Sequence, residues 1–245
     1  MKPAFTITSP ETQTDYQIRV LAPAGGKPVH GWPTVLFMDG DDQFSAAAAA
    51  YQKLHDAGQL QPLLLVAVGY GASYGRPGNH RGRDYTPTTN SDEEPSGGGA
   101  KFLNFLCYTL WPELGTRYPI SHHMRGIAGH SLGSLLALQA LWQEPTFFTH
   151  YLVSSPSIWW DDRSILRLAS ERHLRNSVLQ AHVFLSVGSK DSCSMTGDLA
   201  VLEEQLKIRP FENLRLHTEK FAGRDHFNVL PDAFASGLKQ LFGGE

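Results

Sequence analysis

The chain of 245 residues holds only two cysteines, Cys107 and Cys193. Two are too few for a disulfide framework and stand in no zinc-ligand spacing, so free thiols are expected. Long runs of like charge are missing, and 21 basic against 24 acidic residues give no electrostatic reason to expect nucleic acid or an anionic membrane surface as partner. The longest apolar windows, "PLLLVAVGY" and "SLLALQALW", fall far short of the ~20 residues that span a bilayer. The opening "MKPAFTITSPETQTDYQ" has neither the apolar core nor the small-residue cleavage site of a secretory leader. The expectation is a soluble cytoplasmic protein, or a periplasmic one if a leader has been removed. No repeat at a period of ~20–50 residues is visible, which argues against a solenoid or propeller.

What is present is an alternation. "FTITS" and "TDYQIRVLAP" read as two early antiparallel strands joined across "PETQ". Then "TVLFMDG", "LLLVAVGY", "RGIAG", "HYLVSS", "HVFLSVGS" and "LRLHTEKFAG" are short apolar strands. Between most of them lie helical stretches, "DQFSAAAAAYQKLHDAG", "AKFLNFLCYTLWPEL", "LGSLLALQALW", "RSILRLASERHL" and "MTGDLAVLEEQLKI", and "PDAFASGLKQLF" ends the series. Apolar strands alternating with helices imply the α/β class, a mostly parallel sheet covered on both faces. No linker-like stretch divides the chain, so residues 1–245 are expected to form one domain.

One segment breaks the pattern. Residues 70–99 run without apolar periodicity, where typical connections span ~4–6 residues. Long ordered loops in compact domains are often functional, and this one is a candidate substrate-binding insertion. Its opening "GYGASYG" approaches a dinucleotide fingerprint, but Tyr74 replaces the third glycine, and Pro77 with Gly78 forbids the helix that would hold a pyrophosphate.

The candidate chemistry begins at "GHSLG". Composition alone yields roughly 0.1 matches to G-x-S-x-G in a chain of this kind, so the setting must decide. Here a short strand runs through the pentapeptide directly into a helix, the setting of a nucleophile elbow. Gly129 and Gly133 remove side chains where strand and helix meet, and the turn lifts the Ser131 hydroxyl off the sheet. The Leu132 amide at the helix start suits an oxyanion. A second donor is expected after an earlier strand, where "TVLFMDGDDQF" offers Gly40 and Asp41. Asp39, Asp41 and Asp42 lack calcium-loop spacing, and Asp42 is read as the cap of the alanine-rich helix. No metal site or cofactor is expected.

A serine needs a base and a group to orient it, and in this fold the order is Ser, Asp or Glu, then His. Of the eleven histidines, His226 stands in the loop after the last strand. His217 lies inside that strand, and His122, His123 and His130 precede the serine. Asp191 follows a strong apolar strand, the topological position of the acid. Asp225 adjoins His226, and neighbours on an extended loop point apart. Asp161 and Asp162 come one strand too early.

At these residues a resemblance appears. "FMDGDDQF", "RDYTPT", "GGGAKFLNFL", "AGHSLGSLLALQALWQEPTFFTHYLVSSPSIWW" and "GRDHF" resemble the putative-esterase branch of the α/β-hydrolase superfamily. Within it they look most like the trilactone siderophore esterases that hydrolyse enterobactin and salmochelin. The resemblance implies a serine esterase with Ser131 as nucleophile, His226 as base, and backbone amides near Asp41 and Leu132 as oxyanion hole. Members working with a Ser–His dyad leave two alternatives open, Asp191 as the acid or no acid at all.

The implied substrate is a cyclic triester carrying catechol amides, with iron entering only as part of it. Arg81 and Arg83 are then candidates to attract catecholate oxygens, or to pair with Asp84, Asp92, Glu93 or Glu94 on their own loop; Arg76 is assigned to such pairing. Tyr85 and Trp160 are candidates to stack on catechol rings, although Trp159 and Trp160 also suit core or rim packing. The rival functions are a short-chain carboxylesterase or thioesterase resembling the formylglutathione hydrolases, and a binding protein that has lost activity.

Overall fold

The computed structural model describes residues 2–24, 28–143 and 146–243. Its first strands, β1 (Phe5–Ser9) and β2 (Thr14–Leu21), pair antiparallel across residues 10–13. The remaining strands are β3 (Trp32–Phe37), β4 (Leu64–Gly69), β5 (Ile120–His130), β6 (His150–Ser154), β7 (Val178–Gly188) and β8 (Glu212–Phe221). Among the described residues they form one eight-stranded sheet in the order β1-β2-β4-β3-β5-β6-β7-β8. β2 lies antiparallel beside β4, and every pairing from β4 to β8 is parallel. This is the mostly parallel α/β sheet expected from the alternation, and it fits the α/β-hydrolase fold that the resemblance implies.

The parallel strands are apolar on both sides because both faces are covered. Leu64 to Gly69 of β4 are all buried. α1 (Phe44–Asp56) and α8 (Leu230–Phe242) pack on one face, where Phe44, Tyr51, Phe234 and Leu238 meet Val35, Phe37, Leu65 and Phe184 of the sheet. On the other face, a short α2 (Arg81–Asp84) precedes α3 (Gly99–Asn104), a π-helical turn (Phe105–Leu110) and α4 (Trp111–Arg117), which run on as one rod. The sequence suggests a plain helix there; the wider turn keeps Phe105, Leu106, Cys107 and Leu110 buried. α5 (Leu132–Trp142), α6 (Trp160–Arg175) and α7 (Cys193–Ile208) complete that face. α5 is apolar all round because it is buried all round, from Gly133 to Trp142.

Asp42 does not cap α1. Gln43 holds the cap position without a side-chain bond, and the Asp42 carboxylate accepts the Tyr74 amide at 3.2 Å. Both cysteines are free, Cys107 buried and Cys193 exposed. No helix among the described residues is long and apolar enough to cross a membrane. The parallel strands all end on one edge of the sheet, so the loops after β3, β5, β6, β7 and β8 converge there.

Under this sheet His150 is held between His182 and Phe242, with ring centroids 4.8 Å from each. Burial, with His182 adding, lowers its pKa to about 4. A histidine whose folded pKa lies below the unfolded ~6.5 contributes stability that is present above that value and lost as pH falls toward the folded pKa. Thermal melts should therefore be flat above about pH 6.5 and fall from there toward pH 4. His150→Phe should flatten that decline; an unchanged slope would show that His150 does not set it.

Candidate active site

Ser131 follows β5 and precedes α5 with φ +59° and ψ −121°. A non-glycine residue in such a conformation costs about 1–3 kcal/mol and persists only where its surroundings over-determine it. The chain packs too closely here for side chains at the flanks: a Cβ on Gly129 would lie 2.2 Å from the Gly133 carbonyl carbon. The turn is braced from β6, with the Ser131 amide donating to Ser154 O at 3.0 Å. The Ser131 carbonyl accepts from Ser134 and Leu135, both at 3.1 Å, and from Ser157 at 3.3 Å. The buried Ser134 hydroxyl accepts the Ser154 amide at 2.8 Å and reaches Gly129 O at 2.6 Å. The Ser131 hydroxyl itself lies 3.3 Å from Ser157 Oγ.

His226 and Asp191 come together from two loops. The β7–α7 loop and the β8–α8 loop are stitched by Ser189 N to Phe221 O at 2.9 Å, Lys190 N to Arg224 O at 2.8 Å and Gly223 N to Ser189 Oγ at 2.8 Å. His226 Nδ1 then lies 3.2 Å from Asp191 Oδ2, a carboxylate side chain only 2% exposed. Donating Nδ1–H there frees Nε2 for the opposite side. The His226 ring centroid is 4.5 Å from that of His130, the residue before Ser131, which sets the imidazole at the elbow. Asp225 builds the turn instead: its carboxylate accepts the Phe227 and Asn228 amides, each at 2.9 Å, and those backbone bonds lower its pKa.

The Leu132 and Asp41 amides donate to no acceptor among the described residues. Gly40 is a correction, because its amide donates to Val68 O at 2.8 Å and is closed to an oxyanion. The Asp41 carboxylate turns away and holds the end of β4, accepting Arg19 at 2.7 Å and the Tyr70 amide at 2.5 Å.

Of the four candidate substrate contacts, Arg83 and Trp160 take the alternative roles, pairing with Asp84 and core packing, and Arg81 and Tyr85 are corrected, both being turned inward. Arg81 makes a two-pronged pair with buried Asp39, at 2.9 and 3.1 Å, across to the other loop. Arg83 pairs with Asp84 at 2.7 Å and reaches Thr14 Oγ1 at 2.9 Å. Tyr85 is fully buried, its hydroxyl accepting the Asp39 amide at 3.0 Å. Trp160 is buried with Nε1 donating to Thr88 O at 3.2 Å. Arg81, Arg83 and Asp84 thus face inward, while Asp92, Glu93 and Glu94 are exposed; Asp84, buried, also accepts the Tyr16 hydroxyl at 2.7 Å and that of Tyr70 at 3.1 Å. Arg76 is exposed and has no ion-pair partner among the described residues, contrary to expectation. Around the site, the large rings that do face solvent are Tyr74, Trp159 and Phe227, the last 88% exposed.

Residues 9–239 match the family model described as "Putative esterase". The ferri-bacillibactin esterase BesA of Bacillus subtilis is 28% identical over 263 residues, covering 96% of this chain and 90% of that protein. The siderophore enterobactin esterase of Emericella nidulans is 35% identical over 145 residues, covering 52% of this chain and 48% of that protein. Among solved structures, the BES protein from Bacillus cereus superposes with a TM-score of 0.88 at 27% identity, over 97% of this chain and 93% of that one.

The braces around the serine can be tested directly. Ser134→Ala leaves the buried Ser154 amide without its acceptor, a loss of about 1–3 kcal/mol, read as a lowered denaturation midpoint in urea. Gly129→Ala should be more severe and leave little folded protein. Equal midpoints for wild type and Ser134→Ala would show that the elbow is held by something else.

Proposed function

The chain belongs to the esterase family whose model it matches, and we propose that it is a serine esterase cleaving the ester bonds of a catecholate trilactone siderophore. Ser131 is the nucleophile, His226 the base, and Asp191 the group that orients His226. The observation that carries the chemistry is the strained Ser131 turn beside an imidazole whose far nitrogen meets a buried carboxylate. A Ser–His dyad would leave that 3.2 Å contact without a role.

In the first half-reaction His226 Nε2 takes the Ser131 proton as Oγ attacks the ester carbonyl carbon. The carbonyl oxygen becomes an oxyanion facing the Leu132 and Asp41 amides, a preorganised pair of donors at and near a helix start. Collapse breaks the bond to the alkoxy oxygen, and His226 returns the proton to that leaving alcohol. Water, activated by the same imidazole, then attacks the acyl-enzyme and releases the acid. Asp191 holds the ring with Nε2 forward and stabilises the imidazolium formed at each step.

The siderophore substrate is supported by the names of the similar proteins, one of them matched over nearly the whole chain. The surface agrees with aryl groups on the substrate. Trp159 stands two residues beyond Ser157, and Phe227 directly follows His226, both with rings open to solvent on the loops that carry the site. Catechol rings can stack on such faces, each contact worth about 0.5–1.5 kcal/mol. Iron, where present, belongs to the substrate.

Ser131→Ala should lower kcat on a chromogenic acetate ester by about 10⁴-fold or more; equal rates would remove the mechanism. Chromatography of enterobactin digests should show linear products. Fast turnover of simple esters with no linear products would favour a short-chain carboxylesterase instead. Phe227→Ala and Trp159→Ala should each raise KM for enterobactin by roughly 2- to 12-fold while sparing the acetate ester. An equal effect on both substrates would deny the rings a role in aryl recognition.

A further inference from the structure

His130 stands next to the nucleophile in sequence, yet the bond-making steps leave it idle. Its side chain is buried at 6% exposure. Nδ1 lies 3.1 Å from Ser154 Oγ, and the ring lies beside the backbone of His226. The ring rests against that of His226, centroids 4.5 Å apart and planes tilted by 40°.

The Ser154 amide is satisfied by Ser134 Oγ, and the Ser154 hydroxyl meets His130 Nδ1. In the tautomer with Nδ1 accepting, Nε2 carries a proton that can be donated toward the His226 backbone. The β8–α8 loop is stitched to the β7–α7 loop on one side, and His130 places the end of β5 against it on the other. Ala222, Gly223, Arg224, Phe227 and Asn228 around His226 are all exposed, and no core side chain backs the imidazole from within that loop. Asp191 fixes the ring at Nδ1, a single point about which it can still swing. A flat wall on one face removes that freedom.

Histidine combines the wall with a hydrogen bond to Ser154 and a polar edge beside the His226 backbone. Charge is the remaining question, because an imidazolium against His226 would oppose the charge His226 acquires during acyl transfer. The groups facing His130 are His226, Asp191 and Arg81, and burial together with His226 lowers its pKa to about 3. His130 is therefore neutral near neutral pH.

We propose that His130 is a positioning residue, holding the His226 loop and ring plane so that Nε2 of His226 is presented to Ser131. The proposal rests on the assignment of Ser131 and His226 as nucleophile and base. Misplacing a reacting group by an ångström costs about 100-fold in rate, which sets the scale of the effect.

Three variants separate a positioning role from packing. His130→Ala removes wall and hydrogen bonds, His130→Phe keeps only the wall, and His130→Gln keeps an amide donor near the Nε2 position. Steady-state kinetics on a chromogenic acetate ester and the rate of inactivation by diisopropyl fluorophosphate are measured on the folded fraction, with melting temperatures alongside. His130→Ala and His130→Phe should lose roughly 10- to 100-fold in kcat and in inactivation rate with KM nearly unchanged, and His130→Gln should recover part of the loss. Wild-type kcat in all three, or no advantage of Gln over Ala and Phe, would overturn the proposal. Ser131→Ala and His226→Ala are run beside them. If these two remain active, the assignment of the site itself fails; if they are inactive while the His130 variants match wild type, only the role of His130 falls.

Discussion

The left-handed turn at Ser131 is the constraint on which the site depends. A parallel strand must give way to a buried helix with no loop between, and the Ser131 backbone takes the strain of about 1–3 kcal/mol. Two contacts make this tolerable: Gly129 against Gly133, where no side chain fits, and Ser134, which ties β5 to β6 beneath the turn. The result places one hydroxyl and one helix-terminal amide at the same edge of the sheet. The proposed nucleophile and oxyanion donor therefore share one mechanical cause.

Around that turn the protein distributes its charges inward. Asp39 takes Arg81, Asp41 takes Arg19, and Asp84 takes Arg83 with two tyrosine hydroxyls. These pairs fold segment 70–99 onto the body of the domain rather than extending it toward a ligand. Breaking one partner of such a buried pair is costly because it strands the other, so the loop is held as a wall. On the later loops Trp159 and Phe227 keep exposed rings, the surfaces we propose for contact with a large substrate.

Much of the architecture was legible because its signals are local. Apolar runs bounded by glycine and proline mark the strands, and the elbow declares itself by two glycines between a strand and a helix. His226 and Asp191 could be chosen because chain order and loop position are topological facts. What failed needed the third dimension. Arg81 and Tyr85 have the composition of a binding loop, but both are committed to Asp39, which lies 42 positions from Arg81. Gly40 sits at the right strand end, yet its amide is taken by Val68 on the neighbouring strand. Ser134, Ser157 and His130 carried no signal as supports: two are ordinary serines, and the histidine precedes the nucleophile. Only the convergence of β5, β6 and the β8–α8 loop gives them work.

The central claim is that one strained serine is activated by His226. The most direct test is intact-mass and peptide mapping after treatment with diisopropyl fluorophosphate, which labels an activated serine and spares ordinary ones. The account predicts a single adduct, located on Ser131, and its loss in His226→Ala. Labelling of another residue, or full labelling of Ser131 without His226, would contradict it.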